Sequence, residues 1–267
     1  MNPEMVVLSF DPDDSDAKYL GTAFDIPVIG KADYDSFSLG KPDLITINWG
    51  TYWQPELYRG IWINYPGNVR NACRKEIAFS LFKKHGIPHS PFTFDRAVAI
   101  KWNKDSLVVG RDTLKGRRSQ GMTCYSPGAL TKEAVHLAYA KGVDTKREYR
   151  FHIFGNKVIH TMEKVKDEEL FPKAVRKYGN KANEVRSSMY GWHYSSAGLA
   201  RNPPNPDCAV VAMRAVACLG LDFGAVDIAE KPDGSSAVFE VNTAPDLFGR
   251  NGTVYANAIK QYVMGVI

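Results

Sequence analysis

Near its C-terminus the chain reads DFGAVDIAE, then KPDGSS, then AVFEVN, and this feature limits its fold most sharply. The pattern is a β-hairpin: two strands rich in β-branched residues, joined by a tight Pro/Gly turn. Glu240 and Asn242 are two positions apart on one strand, so both face the same way. Asp227 lies thirteen positions before Glu240, on the partner strand. Two carboxylates and an amide oxygen can thus meet, and hard oxygen donors of this kind suit Mg²⁺ together with substrate phosphates. The plainer alternative is a polar strand edge facing solvent. Against it, Val226, Ile228, Val238, Phe239 and Val241 indicate a packed hairpin, where unpaired carboxylates are costly.

A second hairpin is written in REYRFHIF-GN-KVIHTMEK, with Gly155-Asn156 as a favoured two-residue turn. Uninterrupted alternation puts Tyr149, Phe151, Ile153, Val158, His160 and Met162 on one mainly apolar face. Glu148, Arg150, His152, Ile159, Thr161 and Glu163 then share the other. The spacing of Ile77 with Leu81 and of Ala78 with Phe82 predicts a helix within residues 70–86, ended by Gly86. Another is expected from about Asp207 to Leu219, between Pro206 and Gly220, and a last one near Gly252–Val263. Short strands are expected at Met5–Phe10, Leu44–Trp49, Ile61–Tyr65 and Ser106–Gly110. Residues 165–206 read as a long irregular excursion, a length that suits a functional loop.

The 267 residues are 44% hydrophobic and 24% charged, the balance of a folded chain and not of a disordered or collagen-like one. Net charge is +5, which accommodates an anionic ligand as readily as a nucleic acid. Cys73, Cys124, Cys208 and Cys218 form no CxxC pair, and the six histidines are unclustered, which argues against structural zinc and for buried thiols in a reducing cytoplasm. No apolar run reaches the ~18 residues of a membrane helix, and the acidic N-terminal stretch is unlike a signal peptide. Cytoplasmic localisation is the expectation. The segment Gly110–Met122 carries Arg111, Lys115, Arg117 and Arg118 among Gly116 and Gly121, a composition that can cradle phosphate or simply be a solvated loop. It matches neither GxxxxGK[ST] nor GxGxxG.

In chain order these segments resemble the ATP-grasp superfamily, in the style of ribosomal-protein glutamate ligases and phage-encoded carboxylate–amine ligases. The clearest element is GAVDIAE…VFEVNTAPDLFG, similar to the family's closing hairpin; the likeness covers most of residues 70–265. The resemblance implies that Asp227, Glu240 and Asn242 hold two Mg²⁺ ions, with Mn²⁺ able to stand in. RKEIAFSLFKKHGIPHSPFT resembles the element bearing an outer phosphate-binding lysine, here Lys75. LVVGR resembles the strand ending in an inner phosphate-binding lysine, a position occupied here by Arg111, which keeps the charge and changes its geometry. The loop through Gly116 and Gly121 corresponds to a lid over the ATP phosphates. By the same resemblance Tyr139 and Ala140 form the adenine-reading hinge, Glu148 accepts from ribose hydroxyls, Arg150 lies near substrate or phosphate, and Arg186 contacts phosphate and acyl-phosphate oxygens.

The implied fold is a mixed α+β and α/β architecture, two subdomains gripping ATP after a small Rossmann-like domain. Its boundaries are residues 1–68, 69–140 with the phosphate loop, and 141–267 with the metal hairpin. The implied reaction joins a carboxylate to an amine through an acyl phosphate, with small-molecule or peptide acids and amines as substrates. Related ligases often form dimers or tetramers. Two rivals stand beside it: an ATP-grasp kinase acting on a small molecule, and a non-catalytic nucleotide-binding or structural protein. A side reading takes Lys115, Arg117 and Arg118 with Trp53, Trp62 and Trp192 as a nucleic-acid or ribosomal contact.

Overall fold

The computed structural model describes residues 4–55, 60–114, 121–179 and 181–266. Strand and helix alternate first: β1 (Met5–Ser9), α1 (Ser15–Phe24), β2 (Val28–Ile29), α2 (Lys31–Ser38), β3 (Ile45–Trp49) and β4 (Ile61–Ile63). Crossover helices enforce parallel pairing, and the sheet order is β2-β1-β3-β4. The single helix expected within residues 70–86 is two, α3 (Pro66–Cys73) and α4 (Lys75–Lys84). They are separated at Arg74, whose backbone is extended (φ −100°, ψ 102°), so Lys75 opens a new helix.

β5 (Phe92–Thr93), α5 (Arg96–Asn103), β6 (Val108–Arg111), β7 (Met122–Tyr125) and β8 (Ala138–Lys141) follow. They form a four-stranded antiparallel sheet of order β5-β8-β6-β7. The remainder comprises β9 (Arg147–Phe154), β10 (Lys157–Lys166), α6 (Leu170–Tyr178), α7 (Lys181–Glu184), β11 (Trp192–Ser195), α8 (Pro206–Cys218), β12 (Phe223–Glu230), β13 (Ser236–Asn242) and α9 (Arg250–Val266). Its five strands run β11-β10-β9-β12-β13, all antiparallel.

Residues 165–206 are therefore more ordered than their sequence suggests. Phe171, Ala174, Val175, Ala182, Tyr190 and Trp192 build a small core of their own, and β11 adds an edge strand to the large sheet. Trp192 is buried there, with its indole N–H donating to the Ala182 carbonyl at 2.9 Å, so it offers no face for base stacking. Lys115, Arg117, Arg118 and Gly116 lie outside the described residues.

The large sheet has two unlike faces. Tyr149, Phe151, Ile153, Val226, Ile228, Val238 and Val241 pack against α8, α3 and α4 in the main core. The opposite face begins apolar, where Phe154 and Phe223 meet Trp49, Tyr255 and Ile259 from β3 and α9, and becomes charged towards Glu148. Asn64 staples the N-terminal sheet to β12. Its carbonyl oxygen Oδ1 accepts from the N–H groups of Asp222 (2.8 Å) and Phe223 (3.1 Å), and its Nδ2 donates to the Phe223 carbonyl at 3.0 Å. Its backbone is left-handed (φ 65°), a region that asparagine tolerates better than most residues. Asn64→Ala should cost about 2–4 kcal/mol in urea unfolding, because buried backbone groups lose their partners; an unchanged midpoint would refute the staple. Among the described residues, no helix is long and apolar enough to cross a membrane.

Candidate active site

Alternation on the paired strands places the charged residues, and a register shift in each hairpin, at Ile159 and between Asp227 and Ile228, sets which of them meet. From the Gly155-Asn156 turn the β9–β10 ladder runs as expected through Phe154–Lys157 and Ile153–Val158, then shifts at Ile159. Beyond this bulge His152 faces His160 and Arg150 faces Met162. His160 and Met162 thus lie on the polar face, whereas Thr161 and Glu163 pair with Phe151 and Tyr149. A one-residue insertion inverts the side-chain order of everything after it. The same shift brings Lys164 onto the polar face, where sequence alternation had not put it.

On that face Asp227 and Glu240 are direct cross-strand partners, Ala225 faces Asn242, and Arg150 faces Asp227 from the other side. Asp227 accepts two hydrogen bonds from Arg150, Nε to Oδ1 at 2.6 Å and Nη2 to Oδ2 at 2.8 Å. This planar bidentate pair is largely buried, with side chains 18% and 7% exposed. Burial works against the Arg150 charge, but the Asp227 carboxylate more than offsets it and holds the guanidinium protonated. The Arg150 guanidinium also lies over the Tyr194 ring at 4.2 Å. Tyr194, from the unforeseen strand β11, and Lys164 are the site residues that sequence reasoning missed.

Lys75, the first residue of α4, reaches across to Glu240, with Nζ 2.8 Å from Oε2. The Lys75 charge is the main reason the Glu240 carboxyl sits at about 2; Arg150 and Arg111 reinforce it against burial. Arg111 comes from the other sheet at the end of β6. It makes no side-chain hydrogen bond among the described residues, its Nε is buried, burial lowers its pKa, and the Glu240 carboxylate works against that shift. Lys75 and Arg150 are thus bonded to the two carboxylates, and Arg111 acts on Glu240 without a bonded acceptor among the described residues.

The other expected residues separate into two groups. Glu148 is two residues from Arg150 on β9, about 6.6 Å along the strand, and Arg186 is among the charged neighbours of Glu148. Glu148 accepts from Lys164 Nζ at 2.6 Å and from the Tyr194 hydroxyl at 3.3 Å, and burial raises its pKa. Arg186 donates to the Thr145 carbonyl at 2.5 Å, stacks over Trp192, and has Glu148 and Glu163 as its charged neighbours. Its charged neighbours place it at the Glu148 end of the face.

Tyr139 and Ala140 are inside β8, paired with β5 on one edge and β6 on the other. The Tyr139 ring is buried, and its hydroxyl donates to the Ala134 carbonyl at 3.1 Å. Gly121 has a left-handed backbone (φ 63°), and its carbonyl accepts from Asp112 N–H at 2.8 Å, closing the base of the loop.

Among the described residues there is no group of three or more His, Cys, Asp or Glu side chains able to hold a metal. The candidate donor set is two carboxylates and an amide, and its hard oxygens fit Mg²⁺ chemistry. Both Asp227 oxygens are engaged by Arg150, so ion coordination there displaces part of that pair. Two surface depressions, of 560 and 620 Å³, are lined by residues elsewhere and include none of these side chains.

Deeper on the same face His152 is fully buried, Nδ1 3.3 Å from the Tyr255 hydroxyl and Nε2 without a partner. Burial first, then Arg150 and His160, push its pKa down to about 3. The unfolded chain takes up this proton below its ordinary 6.5 and the folded chain does not, so stability falls as pH drops from 6.5 towards 3. His152→Gln should flatten that part of the stability profile in urea titrations at stepped pH. An unchanged slope would remove His152 as the cause.

The fold built around this face is the ATP-grasp fold. Solved structures of that fold align over nearly the whole chain at low identity. The ATP-grasp ligase PsnB, complexed with a phosphomimetic variant of its minimal precursor, Mg and ADP, matches at 14% identity and a TM-score of 0.67, covering 99% of both chains. D-alanine–D-alanine ligase from Bacillus anthracis matches at 13% and 0.63, over 98% of both. The macrocyclase MdnC from Microcystis aeruginosa MRC, bound with precursor peptide MdnA, matches at 12% and 0.58, over 98% of this chain and all of that one. No family model and no curated protein matches the sequence.

Proposed function

We propose that this chain is an ATP-dependent carboxylate–amine ligase that forms an amide bond through an acyl phosphate and releases ADP and phosphate. One observation carries the reading: Asp227 and Glu240 stand opposite each other on one sheet face, bonded to Arg150 and Lys75, with the Arg111 charge acting on Glu240. Phosphoryl transfer asks a protein for positioning and charge neutralisation more than for a covalent group. Asp227, Glu240 and Asn242 would hold two Mg²⁺ ions, or Mn²⁺ in their place, and the metal charge would lower the repulsion between ATP and an incoming carboxylate.

The residues of the chain account for the remaining requirements. Arg111 and Lys75 bind phosphate oxygens, Arg111 with a buried Nε that has no hydrogen-bond partner among the described residues. Arg150 orients Asp227 and lends positive charge where the acyl phosphate forms. An oxygen of the substrate carboxylate attacks the γ-phosphorus, and the bond to the ADP oxygen breaks. The amine nitrogen then attacks the acyl carbon, the carbon–oxygen bond to phosphate breaks, and the nitrogen gives up a proton. Glu148, with Lys164 and Tyr194, forms the candidate ribose end, and residues 1–68, 69–140 and 141–267 are the working domains. PsnB and MdnC are described with precursor peptides, which favours a peptide acid or amine here.

The test is ADP release from ATP and Mg²⁺ across a panel of peptides and small acids, with hydroxylamine present in half the reactions. Hydroxamate formation on a carboxylate identifies the ligase. A phosphorylated product stable to hydroxylamine identifies a kinase, and ATP binding without turnover across the panel identifies a non-catalytic protein.

A further inference from the structure

On the reverse side of the β6–β8 sheet, away from Glu240, a histidine sits against the two residues that flank Arg111. His136 Nδ1 is 2.5 Å from Asp112 Oδ1, and its Nε2 is 2.6 Å from the Tyr125 hydroxyl. A carboxylate only accepts, so Nδ1 carries the hydrogen, and in the neutral ring Nε2 accepts from the tyrosine O–H. The ring is 8% exposed and edge-on to both Tyr125 and Tyr139. The His136 backbone N–H donates to the Tyr139 hydroxyl at 3.1 Å. Directly beneath the ring is Gly110, where an added Cβ would come within 2.3 Å of His136 Cδ2.

Strand alternation makes the consequence specific. Gly110 and Asp112 face His136; Arg111, between them, faces the other way. One neighbour of Arg111 is held under the ring, and the other is hydrogen-bonded to its edge. The guanidinium that emerges on the far side has a buried Nε and makes no hydrogen bond among the described residues. Arg111 is itself paired with Met122 and Ala138, so the contacts of its two neighbours bear on the tilt of that strand and on where the guanidinium emerges.

We infer that His136 is a positioning residue for Arg111, clamping Gly110 and Asp112 so that the guanidinium is presented to a nucleotide phosphate. The inference rests on the reading of Arg111 as a phosphate-binding cation. It also gives physical content to arginine in this place: a fork of fixed geometry needs its strand aimed, whereas a flexible lysine would not.

The test is a double-mutant cycle read by equilibrium binding of ADP with Mg²⁺ to the full chain. Arg111→Ala should weaken binding about tenfold or more, the loss of a charge-assisted contact. His136→Ala should weaken it by a comparable factor, and adding it to Arg111→Ala should weaken binding no further. His136→Gln, whose amide can donate to Asp112 and accept from Tyr125, should recover most of the affinity. Tyr125→Phe, which removes one hydroxyl and keeps the ring, serves if His136→Ala fails to fold, with the same absence of additivity expected.

Losses that add in the double variant, or wild-type binding in both His136→Ala and Tyr125→Phe, would overturn the clamp while leaving Arg111 as a phosphate ligand. Unchanged binding in Arg111→Ala would overturn the phosphate reading and the clamp with it.

Discussion

Asp227→Asn is expected to lower Mg-dependent ADP formation by on the order of a hundred- to a thousandfold while the protein stays folded. The amide keeps an oxygen for one of the two Arg150 bonds and removes the negative charge. Asp227→Ala is a poorer test, and the double alanine variant with Glu240→Ala is poorer still. Both leave the Arg150 guanidinium, only 18% exposed, without the carboxylate it faces. The bidentate pair makes Asp227 a structural partner of Arg150 as well as a candidate ligand. Circular dichroism melts should accompany the assay. Full turnover in a folded Asp227→Asn protein would end the metal assignment.

The second large effect is on stability. Arg150→Met should cost about 3–5 kcal/mol, because it strands a carboxylate that is 7% exposed. Arg150→Met combined with Asp227→Leu should recover most of that loss, because replacing both members of a buried pair by apolar groups is often neutral or better. The recovered protein should be inactive. Urea unfolding of the two single variants and the double variant measures the coupling. Simple addition of the two losses would show that the pair does not act as a unit. Stability and activity would then part in one variant, which separates the site's chemistry from its contribution to the fold.

These expectations grade differently with sequence distance. The C-terminal hairpin is legible as two strands because Asp227, Glu240 and Asn242 lie within sixteen consecutive residues, but Asp227 meets Glu240 only through a register shift between Asp227 and Ile228, with Phe239 the extra residue, which alternation does not announce. The Gly155-Asn156 hairpin is legible only to Val158. Nothing in KVIHTMEK announces that Ile159 is the extra residue, because a bulge answers to the neighbours of the strand and to its twist as much as to its own composition. From that residue onward the predicted faces are inverted, which concealed Lys164 and misplaced His160 and Met162. In the excursion at 165–206 the apolar residues are sparse, and their small core becomes visible only when Phe171, Ala182 and Trp192 are folded together.

By itself the sequence determined the elements whose signal lies within a turn or two of chain: the C-terminal hairpin, α8 between Pro206 and Gly220, and β1, β3 and β4 of the N-terminal sheet. Only tertiary structure decided which charges meet. Lys75 and Glu240 are 165 positions apart and Arg150 and Asp227 are 77 apart, yet each pair closes at 2.8 Å or less. Periodicity is a property of neighbouring dihedral angles and can be read locally. Coulomb pairing acts through space, and its partners are set by how three sheets pack.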